Sequence, residues 1–354
     1  MSNLFFTIIV SLSFFISCKS PETELNYEVP TFPTEKVVNV QKLNKNTIFS
    51  SPSHLFKWQD YLIIQSRSVD NNNVFQLIST LTGEHITGFG FIGRGDGELL
   101  DFMTPFMDSK KSRICAVDNT GKLVSFNLNT VIKDDNTTHI EESYKMVSHL
   151  SASQLFAVGN NLLQTEGLKD DCGRLFTTNR FGLDTVYLTN MYPSKLPIIK
   201  GDSSSKFYFR YNSHYAIKPD GSKLCAISGN GMILEIWDMK NTPVKHSALR
   251  YFYEPKMNSY VANNPKVESI RGAYCIAATD RYIYCGYYDV DSRNEYACPK
   301  LAVFDWDGDE VNCYTFEKDI FGRFTVDEND MRVYCWIHTI DGDGYLGYFD
   351  LNLP

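Results

Sequence analysis

Short apolar runs alternate with polar turns along this chain, and the same arrangement recurs in six stretches. Its clearest copies are AIKPDGSKLCAIS (216–228), CIAATDRYIYCGYYD (275–289) and FTVDENDMRVYCWIHT (324–339). In each copy two apolar runs flank a turn, and a third apolar run follows a few residues later. Runs of this length, bounded by turn residues, predict antiparallel β-strands.

Repeated β-units of this size predict a propeller, because each blade buries its faces against its neighbours. We therefore expect an all-β fold, a six-bladed β-propeller with four-stranded antiparallel blades. The last unit supplies only three strands, whereas EKVVNVQKL (35–43) is β-prone and has no other evident partner. We expect this N-terminal strand to close the ring as the outer strand of the last blade, since an unpaired edge invites aggregation. A seven-bladed propeller and an open sandwich are the competing interpretations.

The N-terminus carries an apolar run, LFFTIIVSLSFFIS (4–17), of the length typical of a secretory signal and short for a membrane span. Cys18 follows it, and the segment after Cys18 is polar and contains proline, as expected of a tether. We expect a signal peptide over 1–17, a tether over 18–34 and a propeller over 35–354. A buried N-terminal helix is the alternative interpretation of the apolar run.

Composition restricts the class of partner. The net charge is −8, and hydrophobic residues make up 43% of the 354 residues, which suits a folded protein without an electrostatic footprint for nucleic acid. We therefore expect no nucleic-acid partner.

Four cysteines occupy the same place in four units: Cys115, Cys225, Cys285 and Cys335. A position filled by cysteine in successive repeats is typical of a small buried hydrophobic residue. Packed sheets lie about 10 Å apart, too far for equivalent cysteines to form a disulfide. We expect free thiols at these positions.

Motifs for catalysis and metal binding are missing from the sequence. Gly88 to Gly93 fit G-x-G-x-x-G, but the dinucleotide fingerprint needs a following helix, and a loop between blades is the better interpretation. Asp305, Asp307 and Asp309 begin like a calcium loop but lack its later glycine and glutamate, which favours a β-turn. The sequence contains no C-x-x-C, H-E-x-x-H or G-x-S-x-G. We predict no catalytic residue, no metal and no cofactor.

The segment Phe15-Ile16-Ser17-Cys18 resembles the lipobox of bacterial lipoproteins. Together with the six units and GFGFIGRGDGELLDF (88–102), it resembles the six-bladed TolB-like propeller lipoproteins of Bacteroidetes. The matching positions of their Gly-Arg-Gly-Pro-Gly-Glu-like segment are Gly93, Arg94, Gly95, Gly97 and Glu98, with Asp96 in place of proline. The resemblance implies lipidation at Cys18, an outer-membrane or cell-surface location and no established catalytic activity.

A binding site is expected where the loops between blades surround one mouth of the central channel. An arginine precedes the inner strand in four units, and converging guanidinium groups suit a carboxylate or a phosphate. The ligand-binding candidates are Arg94, Glu98, Arg210, Tyr211, Tyr253, Arg271 and Arg323. The alternative is that each arginine caps a loop or pairs with a neighbouring acid.

We expect a non-enzymatic binding or scaffolding lipoprotein of the cell envelope, anchored to the membrane by lipid. Its partner is an envelope protein or an acidic or carbohydrate-like ligand. The alternative is a metal-dependent hydrolase or lyase of the lactonase-like six-bladed type, with candidate ligands at Glu98, Asn212, Asn263 and Asn264. A purely structural subunit of an envelope complex is the third hypothesis.

Overall fold

The computed structural model describes residues 28–43, 52–66, 73–95, 97–100, 102–133, 139–146, 154–165, 174–189, 211–241, 243–253, 272–288, 300–316, 320–339 and 344–354. Six β-sheets in a ring account for nearly all regular structure in these ranges. Helix α1 (Leu128–Val131) and one 3₁₀ turn (Ser109–Lys111) are short additions to the second sheet. None of the helices in these ranges has the length and apolar character needed to cross a membrane.

The first three blades follow one another along the chain, each with its innermost strand first. Blade 1 comprises β3 (His54–Trp58), β4 (Tyr61–Gln65), β5 (Asn73–Ser79) and β6 (His85–Phe91). Blade 2 comprises β7 (Phe102–Asp108), β8 (Arg113–Asp118), β9 (Lys122–Asn127) and β10 (Ile140–Lys145). Blade 3 comprises β11 (Leu155–Val158), β12 (Asn161–Thr165), β13 (Leu175–Asn179) and β14 (Val186–Thr189).

The last three blades continue this order. Blade 4 comprises β15 (Ser213–Ile217), β16 (Lys223–Ser228), β17 (Met232–Asp238) and β18 (Lys245–Tyr253). Blade 5 comprises β19 (Ala273–Ala278), β20 (Tyr282–Tyr287), β21 (Lys300–Asp305) and β22 (Glu310–Phe316). Blade 6 comprises β23 (Ile320–Val326), β24 (Arg332–His338) and β25 (Gly344–Asp350). The predicted six-bladed propeller is confirmed.

In most blades the second and third strands are buried on both faces, which explains why their sequences are continuous apolar runs. Every residue of β5 is buried, as are the interior residues of β16 and β21. Each pair of neighbouring blades shares an apolar cluster, so six separate clusters run around the ring. Stability therefore comes from stacking between blades, which is typical of repeat folds.

The N-terminal segment closes the ring, but it does so with two short strands. Strand β2 (Gln41–Lys42) pairs antiparallel with β25 and supplies the fourth strand of blade 6, as predicted. Strand β1 (Glu35–Val38) instead pairs in parallel with β22 and becomes a fifth strand of blade 5. The prediction that all of 35–43 would pair with the last blade is therefore corrected. The chain crosses from one blade to the next between β1 and β2, so one extended strand cannot stay on a single edge.

The glycine-rich connection between blades 1 and 2 folds around the carboxylate of Glu98. Gly95 N donates to Glu98 Oε2 at 2.6 Å, and Lys122 Nζ donates to the carbonyl oxygens of both residues at 3.0 and 2.9 Å. A Cβ atom at Gly93 would collide with the same carboxylate. Gly88 to Phe91 lie in β6, so the G-x-G-x-x-G stretch is part of a strand and a loop rather than a dinucleotide site.

The cysteines that the structure describes are all buried free thiols: Cys115, Cys225, Cys275, Cys285, Cys313 and Cys335. The prediction for the four repeated positions is confirmed. Burial raises the pKa of the Cys115 thiol to about 12, so this group is not a reactive thiolate. The aspartate-rich stretch after β21 is a β-turn as expected, because the Asp305 carboxylate accepts hydrogen bonds from the backbone N–H groups of Asp307 and Asp309.

A buried ion pair joins blades 3 and 4. The Arg174 guanidinium donates to both carboxylate oxygens of Glu235 at 2.6 and 2.8 Å, and both side chains are almost fully buried. His246 Nε2 lies 2.9 Å from the same carboxylate, and the guanidinium stacks 5.0 Å from the centre of the Trp237 ring. Burial acts to raise the pKa of Glu235, but Arg174 and then His246 outweigh it and hold the pKa below its ordinary value.

Candidate functional site

The inner strands of all six blades surround a central channel of about 500 Å³. This volume lies within the range of about 300–1,000 Å³ that is typical of small-molecule sites. The channel is the candidate functional site because it is the one large concavity to which every blade contributes, among the cavities lined by described residues.

One mouth of the channel is ringed by polar residues, which we call the collar. Its members are Ser53, His54, Gln154, His214 and Arg323. They stand at or just before the start of the inner strands, except for Arg323, which lies in the middle of β23. Hydrogen bonds across blade boundaries join these positions to the neighbouring inner strands. Tyr215 N donates to Gln154 Oε1 at 2.7 Å, and Arg323 Nη1 donates to the Tyr274 carbonyl oxygen at 2.8 Å.

His54 is held at the collar by Gln65 of the adjacent strand. The His54 Nδ1 atom lies 2.7 Å from Gln65 Oε1, which also accepts a hydrogen bond from Ser53 Oγ at 2.9 Å. With Oε1 as the shared acceptor, Nδ1 carries the proton of the neutral ring and Nε2 remains an acceptor. Burial lowers the pKa of His54 to about 4, the hydrogen bond to Gln65 opposes this, and the positive charge of Arg323 lowers the pKa further.

His214 lies in blade 4 at the matching position of its inner strand. Burial lowers its pKa to about 4, and the charge of Arg323 adds to this effect against the hydrogen bond to the Ala273 carbonyl. Both imidazoles are therefore neutral at neutral pH. They bring polarity to the collar without charge.

Arg323 is the charged member of the collar. Its guanidinium is half-buried and donates to one backbone carbonyl, and no carboxylate in the described part of the chain forms an ion pair with it. Of the acids that line the channel, Asp108 is the last residue of β7 and Asp220 follows the end of β15, so both lie at the opposite mouth. The collar therefore carries a positive charge that the described residues do not neutralise.

Of the residues proposed from sequence, the structure places Arg323 in the channel. It lies within β23 rather than before it, which corrects the prediction that this arginine precedes the inner strand. Arg94 is exposed in the loop between blades 1 and 2. In the same loop the Glu98 carboxylate accepts a hydrogen bond from Gly95 N. Tyr211 is buried against Ile233 in blade 4, and Tyr253 packs against the cluster between blades 4 and 5. Arg210 and Arg271 lie outside the described residues, so their convergence with Arg323 remains a prediction.

Sequence reasoning missed His54, Gln154 and His214, although a signal for the two histidines was present. Ser53-His54 and Ser213-His214 stand at the same point of two repeats, where the inner strand begins. A polar pair at this point departs from the apolar character of the strand that follows. Such a departure, repeated in register, indicates a position that faces the channel mouth.

The described ranges contain no group of three or more His, Cys, Asp or Glu side chains suited to a metal ion. Of the proposed metal ligands of the hydrolase alternative, Asn212 immediately precedes β15, whereas Asn263 and Asn264 lie outside the described residues.

The fold and the collar define a six-bladed propeller with a polar, cationic channel mouth. A family model described as TolB-like 6-blade propeller-like matches residues 31–329, and the chain belongs to this family. No curated protein sequence matches the chain.

Two solved structures from Bacteroides are similar in fold. A member of the DUF4221 family from Bacteroides vulgatus has a TM-score of 0.56 and 12% sequence identity, with 89% of this chain and 96% of that chain covered. A Bacteroides fragilis protein, named as a candidate exported protein, has a TM-score of 0.55 and 14% identity, with coverage of 90% and 98%. At these identities the similarity concerns the fold alone.

Proposed function

We propose that this protein is a cell-envelope lipoprotein that acts as a non-enzymatic binding module, with an anionic ligand held at the collar by Arg323. The lipobox-like segment ending at Cys18 supports an envelope location, as does the name of the Bacteroides fragilis neighbour, which describes export. A propeller with a ligand at its channel mouth matches the usual position of sites in closed β-folds.

The observation that carries the proposal is the state of Arg323. A guanidinium is always charged in proteins, and charges withdrawn from water are usually paired. The Arg323 side chain is half-buried beside two neutral imidazoles and makes its described hydrogen bond to a carbonyl oxygen. A bound carboxylate or phosphate would pair with it by charge-assisted hydrogen bonds.

Titration of the full chain with acetate and with inorganic phosphate, followed by NMR, tests the anion site. Arg323→Gln removes the charge, and we expect affinity to fall by roughly tenfold or more, because hydrogen bonds to charged groups contribute about 1.5–3 kcal/mol. Arg323→Lys should retain part of the affinity, since it keeps the charge but loses the planar fork. Arg94→Gln is the matched control, because Arg94 is exposed outside the channel. Equal effects of R323Q and R94Q, or binding to neither anion, would contradict the proposal.

The envelope location is tested separately, by mass spectrometry of protein extracted from membranes. We expect an acylated N-terminal Cys18 and loss of residues 1–17. An unmodified Cys18 would exclude the lipid anchor while leaving the anion site intact. Pull-down from native membranes would identify an envelope partner bound through the same mouth, and R323Q would weaken that capture if the partner contributes an acidic group.

A further inference from the structure

Beneath the collar the wall of the channel is formed largely by apolar side chains, with Thr325 of β23 as a polar member. Each of the inner strands β3, β7, β11, β15 and β19 contributes at least one half-buried apolar side chain that lines the channel: Phe56, Met107, Phe156, Ile217 and Ile276. We call this region the shaft. Its aromatic and branched side chains are already partly exposed to the channel, so a hydrocarbon group placed there would displace water from apolar surface.

Charge is distributed unevenly along the channel axis. Arg323 lies at the collar, the shaft residues carry no charge, and the opposite mouth is lined by acids and lysines. These are Asp108, Lys110, Lys111, Lys218 and Asp220. Among the described lining residues, the order from the collar inward is therefore one cation, an apolar zone and a mixed charged rim.

This order discriminates between classes of anion. An inorganic anion would pair with Arg323 but leave the apolar wall in contact with water. A sugar acid would bring hydroxyl groups against Phe56, Phe156 and Ile276, whose side chains offer no hydrogen-bond partner, so part of the desolvation of these hydroxyl groups would not be compensated. A monocarboxylate with a hydrocarbon body satisfies both regions, because its head pairs with the guanidinium and its body covers the apolar wall.

The dimensions suit a medium-length body. Two to four residues of each inner strand line the shaft, and at about 3.3 Å per residue this gives a length of roughly 7–13 Å. The channel volume of about 500 Å³ is adequate for a ligand of this length.

We infer that the channel binds amphipathic monocarboxylates, with the carboxylate on Arg323 at the collar and the hydrocarbon body in the shaft beside Phe56, Phe156 and Ile276. This inference rests on the proposed function, since it uses the same arginine as the anion-binding group. It adds the chemical class of the ligand and a second, apolar determinant of affinity.

The test is a chain-length series on the full protein by isothermal titration calorimetry, with acetate, butyrate, hexanoate and octanoate. Burial of a methylene contributes about 0.8 kcal/mol, so we expect affinity to rise roughly fourfold for each methylene added, until the shaft is filled. Glucuronate should bind no more tightly than butyrate. Octylamine, which has the same body and a cationic head, should not bind, and this excludes non-specific adsorption of alkyl chains.

Variants assign the two determinants to their residues. Ile276→Thr places a hydroxyl group in the shaft and should weaken octanoate binding a few-fold more than it weakens acetate binding. Ile86→Thr is the matched control, since Ile86 lies on β6 outside the channel and is 38% exposed. If I276T does not fold, as judged by its thermal melt, the chain-length series with the unaltered protein decides the question by itself.

The outcomes separate the two proposals. Equal affinity along the series, or tighter binding of glucuronate than of octanoate, would overturn the inference about the shaft, and the anion site would stand if R323Q still abolished binding. Absence of binding for every acid in the series would overturn both. A rise with chain length that R323Q does not affect would overturn the assignment of the carboxylate to the collar.

Discussion

The two collar histidines should make the protein less stable in mild acid. Each has a folded-state pKa of about 4, lowered from the ordinary value of 6.5 chiefly by burial. Between these two values the unfolded chain binds protons that the folded chain does not, so acidification favours unfolding. The stability these groups provide is therefore complete at neutral pH and is lost as the pH falls from about 6.5 to about 4.

The magnitude follows from the size of the pKa difference. One pKa unit corresponds to about 1.4 kcal/mol, so the difference between 6.5 and about 4 corresponds to about 3 kcal/mol for each ring. The double variant His54→Gln/His214→Gln, which cannot protonate at these positions, should lose most of this pH dependence. A smaller dependence of stability on pH should remain in the double variant, because burial also lowers the pKa values of His85 and His338.

Urea unfolding followed by tryptophan fluorescence at neutral pH and at about pH 4.5 measures the effect. His139→Gln serves as the control for a histidine-to-glutamine substitution, because His139 lies outside the channel. A double variant that loses as much stability on acidification as the original protein would refute the reasoning. A protein whose stability does not change between these pH values would refute it equally.

Two further predictions concern the frame around the site. Phe32→Ala should lower the free energy of unfolding by about 1–3 kcal/mol, because the centroid of the Phe32 ring lies 5.6 Å from that of Phe304, where the N-terminal segment crosses blade 5. Val37 is 60% exposed, so Val37→Ala should have little effect in the same urea titration. Equal effects of the two would contradict the role of the N-terminal segment. Glu235→Ala should lower the free energy of unfolding by about 3–5 kcal/mol, because it leaves the Arg174 guanidinium buried without its carboxylate. The double variant Glu235→Ala/Arg174→Met should recover part of that loss. Additive losses in that cycle would show that the two side chains do not act as a pair.

The blades were predictable from sequence because their determinants are local. In β16 and β24 the apolar run, the turn before it and the central cysteine lie within about a dozen residues, and a strand with both faces buried needs no other signal. The free thiols followed from the same register, since equivalent positions in neighbouring sheets cannot approach to bonding distance.

The split of the N-terminal strand was not predictable in this way. The sequence of 35–43 predicts an extended segment, but only the position of the outer edges of two blades decides that Glu35–Val38 joins one of them in parallel and Gln41–Lys42 the other in antiparallel. Edge pairing is set by backbone hydrogen bonds, which place few demands on the side chains of a short strand.

The candidate site, too, was predictable from the sequence only in part. The sequence alone predicted arginines at the channel mouth, and Arg323 lies there. The family and the number of blades were also predictable from the sequence. Only the tertiary structure brings together His54, His214 and Arg323, which are separated by more than a hundred residues along the chain and belong to blades 1, 4 and 6. Ring closure is what brings these three positions to one mouth of the channel, and it also removes the imidazoles from water and so lowers their pKa values. A repeat pattern records how each blade folds, whereas the chemistry of the channel depends on which residue every blade presents to the common axis.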